Sequence, residues 1–300
     1  MENIACDYCG SRESETQWIA PDRLTNTGEF FSVVKCSNCG LAFVNPRPEI
    51  GEINQYYQSD YWAYVRLTRI RWWLKKIILY RELKILKKIL PPSAKILEVG
   101  TGSGEDMAFL RDRGKFTVQG LDISHNAVST GRREFGLNIE QGELESKNYP
   151  ESFFDLVRLK FIISHVHQPK RFLIEVNRIL KPGGHILMWV PNFSSWSQKI
   201  FRDFWLGGEP PRHLYDFSEI TLTNYLKATN FKILKLRHSI APNVFVHCFR
   251  YWLAAHGVPK LFVIFFSINI FSLIVFMPFS LLASLFRASD RLFIIAQKIK

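Results

Sequence analysis

The run Ile96-Leu97-Glu98-Val99-Gly100-Thr101-Gly102-Ser103-Gly104 constrains this chain more than any other stretch. Ala94 to Val99 is aliphatic and bounded by Pro91-Pro92 and by glycine, and Glu105 to Arg113 continues at helical spacing through Met107, Phe109 and Leu110. The spacing predicts strand, tight turn, helix. Glycines on alternate positions let backbone approach a ligand closely, because no Cβ stands in the way. A dinucleotide fingerprint wants Gly-x-Gly-x-x-Gly, and Glu105 occupies the place of its last glycine, which directs the reading away from NAD.

Thr117 to Asp122 reads as a second strand with its acid at the carboxyl end, where a ligand over an open parallel sheet presents ribose hydroxyls. Asp122 is therefore the expected diol acceptor. With Lys181-Pro182-Gly183-Gly184 before a strand from His185 to Val190, these residues resemble the class I S-adenosylmethionine-dependent methyltransferases over roughly residues 90 to 240. The resemblance implies a doubly wound α/β fold with a seven-stranded, Rossmann-like sheet. It places Glu98, Gly100, Gly102 and Gly104 at the methionine end of S-adenosylmethionine, whose carboxylate suits a helix N-terminus. It also sets Asp122 on the ribose and Glu143, in Gln141-Gly142-Glu143-Leu144, near the adenine. Between them the sequence predicts a helix over His125 to Phe135, with Ser124 and Asn126 as candidate caps, and a third strand over Leu137 to Glu140.

Phe154 to Phe161 is the expected fourth strand, followed by Ile162-Ile163-Ser164-His165-Val166. Many sugar- and quinone-directed members of the resembled family carry Glu-His at this point, facing the acceptor. Here Ser164 replaces the Glu and His165 keeps its place. An imidazole with an ordinary pKa of about 6.5 suits removal of a hydroxyl proton, so His165 is either a general base or a histidine packed beneath the cofactor. Phe172 to Leu180 is an expected helix, stopped by Pro182-Gly183-Gly184. The aromatic, glycine-rich stretch Phe204 to Ser218 reads as a loop closing over an acceptor. Its Pro-Arg-His-Leu and Phe-Ser segment resembles relatives linked to cell-surface polysaccharide genes. That resemblance makes His213 a second candidate base and Tyr215 an acceptor-side contact. A helix over Ser218 to Thr229 and a strand over Phe231 to Arg237 follow.

Ahead of this domain stand Cys6-x-x-Cys9-Gly10 and Cys36-x-x-Cys39-Gly40, with 26 residues between the pairs. Two such turns can offer four thiolates to one closed tetrahedral zinc, a structural rather than a catalytic arrangement. Gln17-Trp18-Ile19 and Phe30 to Val34 can pair between them, which predicts a zinc ribbon. Disulfides and a thioredoxin-like redox pair are the competing readings. Cys248 stands alone in an apolar context.

The formal charge of +12 is uneven: residues 1–60 carry −5, 61–95 carry +9, 96–240 carry +3 and 241–300 carry +5. The excess lies on the flanks of the catalytic-looking region, which disfavours a nucleic-acid substrate. Arg66 to Leu90 holds nine basic residues and only Glu82 against them, with apolar residues at helical intervals. Two readings stand for this helix: a cover for the sheet with a solvated basic face, or a membrane-surface element with Trp72 and Trp73 at headgroup level. Tyr56 to Trp62 is an aromatic bridge between ribbon and domain. No secretory signal is visible at Met1 to Cys6.

Leu261 to Phe286 is 26 residues without a charge, between Lys260 and Arg287. Asp290 to Lys298 nevertheless reads as the last antiparallel strand of the same sheet, and one crossing would leave it on the wrong side. The expected solution is a re-entrant or interfacial hairpin broken near Asn269 or Pro278, with Val244 to Ala255 as its approach; a true span and a dimer interface are the alternatives. The division is then 1–48, zinc ribbon; 49–92, aromatic linker and basic helix; 93–240 with 288–300, the S-adenosylmethionine-binding domain; and 241–287, a membrane-associating insertion. The whole reads as a methyltransferase on the cytoplasmic face of a membrane. It would contact that surface through 61–95 and 258–287 and act on a glycan or lipid-linked acceptor. A nucleic-acid methyltransferase and a non-enzymatic membrane adaptor are the rival classes.

Overall fold

The computed structural model describes residues 1–24, 28–57, 69–267 and 269–299. The ribbon contributes β1 (Ser14–Pro21), β2 (Phe30–Cys36) and β3 (Ala42–Val44), and α1 (Arg69–Ile89) leads into the main domain. Then come β4 (Lys95–Val99), α2 (Glu105–Gly114), β5 (Thr117–Asp122), α3 (His125–Phe135), β6 (Ile139–Gln141), β7 (Phe154–Lys160), α4 (Pro169–Ile179) and β8 (Leu180–Pro191). The remainder is α5 (Trp196–Phe201), β9 (Tyr215–Asp216), α6 (Glu219–Ala228), β10 (Phe231–Ser239), α7 (Pro242–Ala255), α8 (Lys260–Phe265), α9 (Ile270–Leu285) and β11 (Arg291–Lys298).

Seven strands form one sheet in the order β10-β11-β8-β7-β4-β5-β6. β4, β5, β6, β7 and β8 run parallel, and β11 is inserted antiparallel between β8 and β10. β4 has β5 on one side and β7 on the other, so the chain leaves it in opposite directions, and such a switch point opens a crevice beyond the strands' carboxyl ends. Helices cover both faces, which is why β4 reads as an unbroken apolar run around Glu98.

α1 covers one face through Leu79, Leu83 and Leu86, packed on Ile96, Phe109, Leu110 and Phe116. Trp72 meets the Phe109 ring edge-on at 6.5 Å, so it is engaged with the domain rather than held out at a headgroup level. The start of the expected helix, residues 66–68, and most of the aromatic bridge, including Tyr61 and Trp62, lie outside the described residues, as does the side chain of Trp73.

Two expectations need correction. α4 ends at Ile179 and the chain passes directly into β8, so Lys181-Pro182-Gly183-Gly184 lies inside the strand rather than ahead of it. Gln297 Nε2 and Lys298 Nζ donate to the Gly183 and Leu180 carbonyls, satisfying backbone there, and Gly183 takes φ +76°. The 204–218 stretch lines the cavity through Leu206, Gly207, Glu209 and His213, but its C-terminal part is tied to the ribbon: β9 pairs with β3 and completes a four-stranded sheet β1-β2-β3-β9. Arg212, fully buried, makes a two-pronged ion pair with Asp22 of the ribbon. Tyr215 consequently points away from the acceptor space, its hydroxyl bonded to Arg47 and the His167 carbonyl.

The uncharged run folds as two helices. Asn269 caps α9, with its Oδ1 accepting from Ser272 N at 2.9 Å and Ser272 Oγ accepting from Asn269 N at 3.2 Å. Sixteen residues of helix rise roughly 24 Å, short of a hydrocarbon core of about 30 Å. Among the described residues no helix is long and apolar enough to cross a membrane.

Candidate active site

A cavity of about 1030 Å³ opens at the carboxyl ends of β4, β5 and β7. Glu98, Gly100, Gly102, Asp122, Glu143, His165 and His213 all line it, so residues far apart in sequence share one space. Gly104 is not among the lining residues. Its added Cβ would stand 2.8 Å from Leu137 Cδ1 and 3.4 Å from Gly131 Cα, so this glycine lets α2 approach α3.

The glycine loop leaves β4 with Gly100 and Gly102 at φ +74° and +53°, where side chains are strained. Asp122 fastens it: one carboxylate oxygen accepts from Gly102 N and the other from Ser124 N, both at 2.9 Å. Each oxygen keeps a second lone pair, which suits a ribose diol. Burial pushes the Asp122 pKa up, against the pull of those amides. Glu143 sits exposed on the cavity lip.

Behind the loop, three cations meet three carboxylates. Arg158, fully buried in β7, binds Glu82 of α1, Glu98 of β4 and, at 3.3 Å, Asp106 of α2, while Lys75 and Lys160 also contact Asp106. Burial raises the Glu98 pKa to about 7, opposed by Arg158. Burial would also raise Asp106, but Lys160, Lys75 and Arg158 hold it far below the usual carboxylate range. One oxygen, Glu98 Oε2, is buried without a hydrogen-bond partner among the described residues. An orphaned carboxylate oxygen facing the cavity fits the ammonium group of S-adenosylmethionine, so the residues present suit that cofactor. Sequence reading missed this network; its signal is Arg158 itself, a charge inside an apolar strand that must find buried partners.

On the acceptor side, the His165 and His213 rings meet edge to face with centroids 4.6 Å apart. His213 Nδ1 lies 2.5 Å from the Gly207 carbonyl and must donate to it, which leaves Nε2 as an acceptor. His165 Nδ1 lies 3.1 Å from the Arg212 carbonyl and 2.9 Å from the Tyr57 hydroxyl. Burial pulls His213 down to about 4, and burial, with the repulsion a second protonated ring at His213 and the Arg212 guanidinium would exert, pulls His165 well below its ordinary value. Both rings are therefore neutral near pH 7. Ile53, Asn54 and Tyr57, just beyond the ribbon, supply the facing wall.

The four cysteines come together as the spacing predicts. Cys6 and Cys39 Sγ are 3.4 Å apart, Cys9 and Cys36 Sγ 3.5 Å, and all four lie within 4.8 Å of one another. A zinc with four thiolates at about 2.3 Å sets sulfurs about 3.8 Å apart, so the set fits that ion. The two turns match: Gly10 N bonds the Cys6 carbonyl at 2.8 Å and Gly40 N the Cys36 carbonyl at 2.9 Å.

Residues 61–236 match the methyltransferase domain family, more than half of the chain. The chain belongs to that family. Among curated relatives, it is 30% identical over 101 residues to a phosphatidylethanolamine N-methyltransferase of Cereibacter sphaeroides, covering 31% of this chain and 49% of that one. A fatty-acid O-methyltransferase of Mycolicibacterium smegmatis is 36% identical over 99 residues, covering 31% and 35%. A ubiquinone/menaquinone biosynthesis C-methyltransferase of Geotalea daltonii is 27% identical over 148 residues, covering 46% and 57%. The chain thus spans less than two thirds of each of these relatives. The fold is shared with a phosphoethanolamine N-methyltransferase of Haemonchus contortus at TM-score 0.50 and 17% identity, over 74% of this chain and 53% of that one. These methyltransferases act on nitrogen, oxygen and carbon, so family membership leaves the acceptor open.

Proposed function

We propose that this protein transfers the methyl group of S-adenosylmethionine to a hydroxyl of a sugar or lipid-linked glycan, working at a membrane surface. The observation that carries this reading is one cavity joining Glu98 and Asp122 to two neutral imidazoles, His213 buried and His165 half-buried. Glu98 Oε2 would hold the cofactor's ammonium, Asp122 its ribose, and Glu143 its adenine edge. The bound cofactor supplies an activated methyl on a sulfonium. What the chain adds is alignment of the acceptor oxygen and removal of its proton. His213 Nε2, its tautomer fixed by the Gly207 carbonyl, takes that proton as the new C–O bond replaces the C–S bond, and His165 stands next to it. An amine acceptor, which can carry a lone pair without such help, has less need of this pair.

The four thiolates would hold a structural zinc, and the closed set leaves no position for substrate. Support for the membrane comes from α8 and α9, where Leu261, Ile270 and Leu285 are each at least 75% exposed. Basic residues on both flanks agree with a hairpin on the cytoplasmic face. The test is incubation with methyl-labelled S-adenosylmethionine and separate lipid, glycan and nucleic-acid extracts. Label should enter a lipid or glycan fraction as a base-stable ether and fall at least tenfold with His213→Gln; label in nucleic acid, or on nitrogen, would overturn the reading.

A further inference from the structure

Both imidazoles on the acceptor side meet backbone carbonyls from one short segment. His213 Nδ1 lies 2.5 Å from the Gly207 carbonyl, and His165 Nδ1 lies 3.1 Å from the Arg212 carbonyl. A carbonyl oxygen can only accept, so each contact requires a hydrogen on Nδ1 and leaves Nε2 with its lone pair. Neither Nε2 has a hydrogen-bond partner among the described residues, and both rings line the cavity. At His165 a second group competes, because the Tyr57 hydroxyl stands 2.9 Å from the same Nδ1. As an acceptor this hydroxyl shares the Nδ1 hydrogen with the carbonyl; as a donor it would take the Nδ1 lone pair and leave the ring hydrogen on Nε2. The placement of two oxygens therefore decides which form of His165 the cavity sees.

Arg212 holds both of those oxygens. Its own carbonyl is one, and its guanidinium grips the backbone next to the other, Nη1 donating to the Tyr56 carbonyl at 3.2 Å. Nη1 and Nη2 also donate to the two oxygens of Asp22, at 3.0 and 2.7 Å, and Glu209 adds a second carboxylate 3.9 Å from Nε. Asp22 is anchored in turn: its Oδ1 accepts from Leu24 N at 3.0 Å, and its backbone N–H donates to the Glu29 carbonyl at 3.2 Å. The Glu29 carboxylate accepts from the Tyr56 hydroxyl at 2.9 Å. The ribbon, the short turn Ile53–Tyr56 and the 207–212 segment thus close on one guanidinium. An apolar pair of similar volume would often hold such a junction as well as a buried ion pair does, so stability alone gives no reason for Arg212. A fork that bonds a carboxylate and a carbonyl at once does.

We propose that Arg212 is a positioning residue: locked onto Asp22 of the ribbon, it holds its own carbonyl and Tyr57 about His165 so that this ring, like His213, carries its hydrogen on Nδ1 and keeps a bare Nε2. The ribbon thereby sets the tautomer of a ring in the acceptor end of the cavity. A hydrogen on Nε2 would make His165 a donor where a base or hydrogen-bond acceptor is needed. What Nε2 does for the acceptor rests on the proposed methyl transfer to a hydroxyl; the tautomers do not.

The test is long-range proton–nitrogen correlation NMR of the full chain, labelled with nitrogen-15 histidine, at pH 7. Nitrogen shifts distinguish Nδ1–H from Nε2–H, and His165→Gln and His213→Gln assign the two rings. Both should be Nδ1–H in the wild-type chain, by about tenfold over the other tautomer, the weight of one hydrogen bond at a buried site. Tyr57→Phe should leave His165 unchanged. Asp22→Leu combined with Arg212→Leu removes the ion pair as a unit; His165 should then lose its preference for Nδ1–H by about tenfold, while His213, bonded to Gly207, keeps its own. Arg212→Lys keeps the charge and gives up the fork. It should move His165 in the same direction, and it carries the test if circular dichroism shows the double variant unfolded. Nε2–H at His165 in the wild-type chain would mean that Tyr57 donates to a bare Nδ1, and a change on Tyr57→Phe would mean that the hydroxyl rather than the carbonyl sets the ring. Nδ1–H retained at His165 in the folded Arg212 variants would reduce Arg212 to packing, and equal changes at both rings would mean general loosening; each of these results overturns the proposal. Failure of the wild-type chain to bind S-adenosylmethionine would sink the methyl-transfer reading instead, and leaves the tautomer result standing.

Discussion

His213 shows how far a single residue can be read. Its place beside a Pro-Arg segment marks it in the sequence, yet the contact that fixes its tautomer, Nδ1 to the Gly207 carbonyl, depends on a tight fold of residues 207–213 that no periodicity announces. Its burial makes a stability prediction. The unfolded chain takes up a proton at this imidazole as pH falls below about 6.5, whereas the folded chain does so only near about 4. Between those values the unfolded state binds more protons, so stability is lost as pH falls, by about 1.4 kcal/mol per unit. His165, also depressed, acts in the same direction. Urea unfolding at pH 7 and pH 4.5 should therefore show His213→Gln losing about 2 kcal/mol less than the wild-type chain across that interval. Equal losses would mean that His213 is not held neutral by the fold.

Most elements were legible because local spacing dictates them. β5 and α3 run where the apolar alternation and the Ser124 cap put them, and β11 returns antiparallel as the 290–298 pattern required. What was hidden depends on long-range pairing. β9 is two residues long and exists only because β3 lies beside it. The ribbon is accordingly more than an appendage, since its core continues into that of the main domain through Phe43, Tyr215 and Phe217. Metal analysis of protein purified without chelator should find one zinc per chain. Removal of that zinc, or Cys36→Ser, should lower the melting temperature by several degrees, because thiolates released from a tetrahedral centre no longer pin β2 and β3. Zinc-free protein with unchanged melting would contradict the assignment of these four cysteines.

Across the whole molecule, the sheet's switch point, the ribbon wall and the helical insertion converge on one cavity whose two ends differ in chemistry. The end at β4 and β5 carries a backbone loop, a diol acceptor and an orphaned carboxylate oxygen; the end beside the ribbon carries the two imidazoles. The central claim is that the first end holds S-adenosylmethionine, and calorimetric titration of the cofactor into wild-type and Asp122→Ala protein tests it most directly. Asp122 serves both the loop and the ribose, and charge-assisted hydrogen bonds of this kind are worth about 1.5–3 kcal/mol. One cofactor should bind per wild-type chain, and the variant should bind at least about tenfold more weakly. No binding by the wild-type chain, or equal binding by both, would contradict the account.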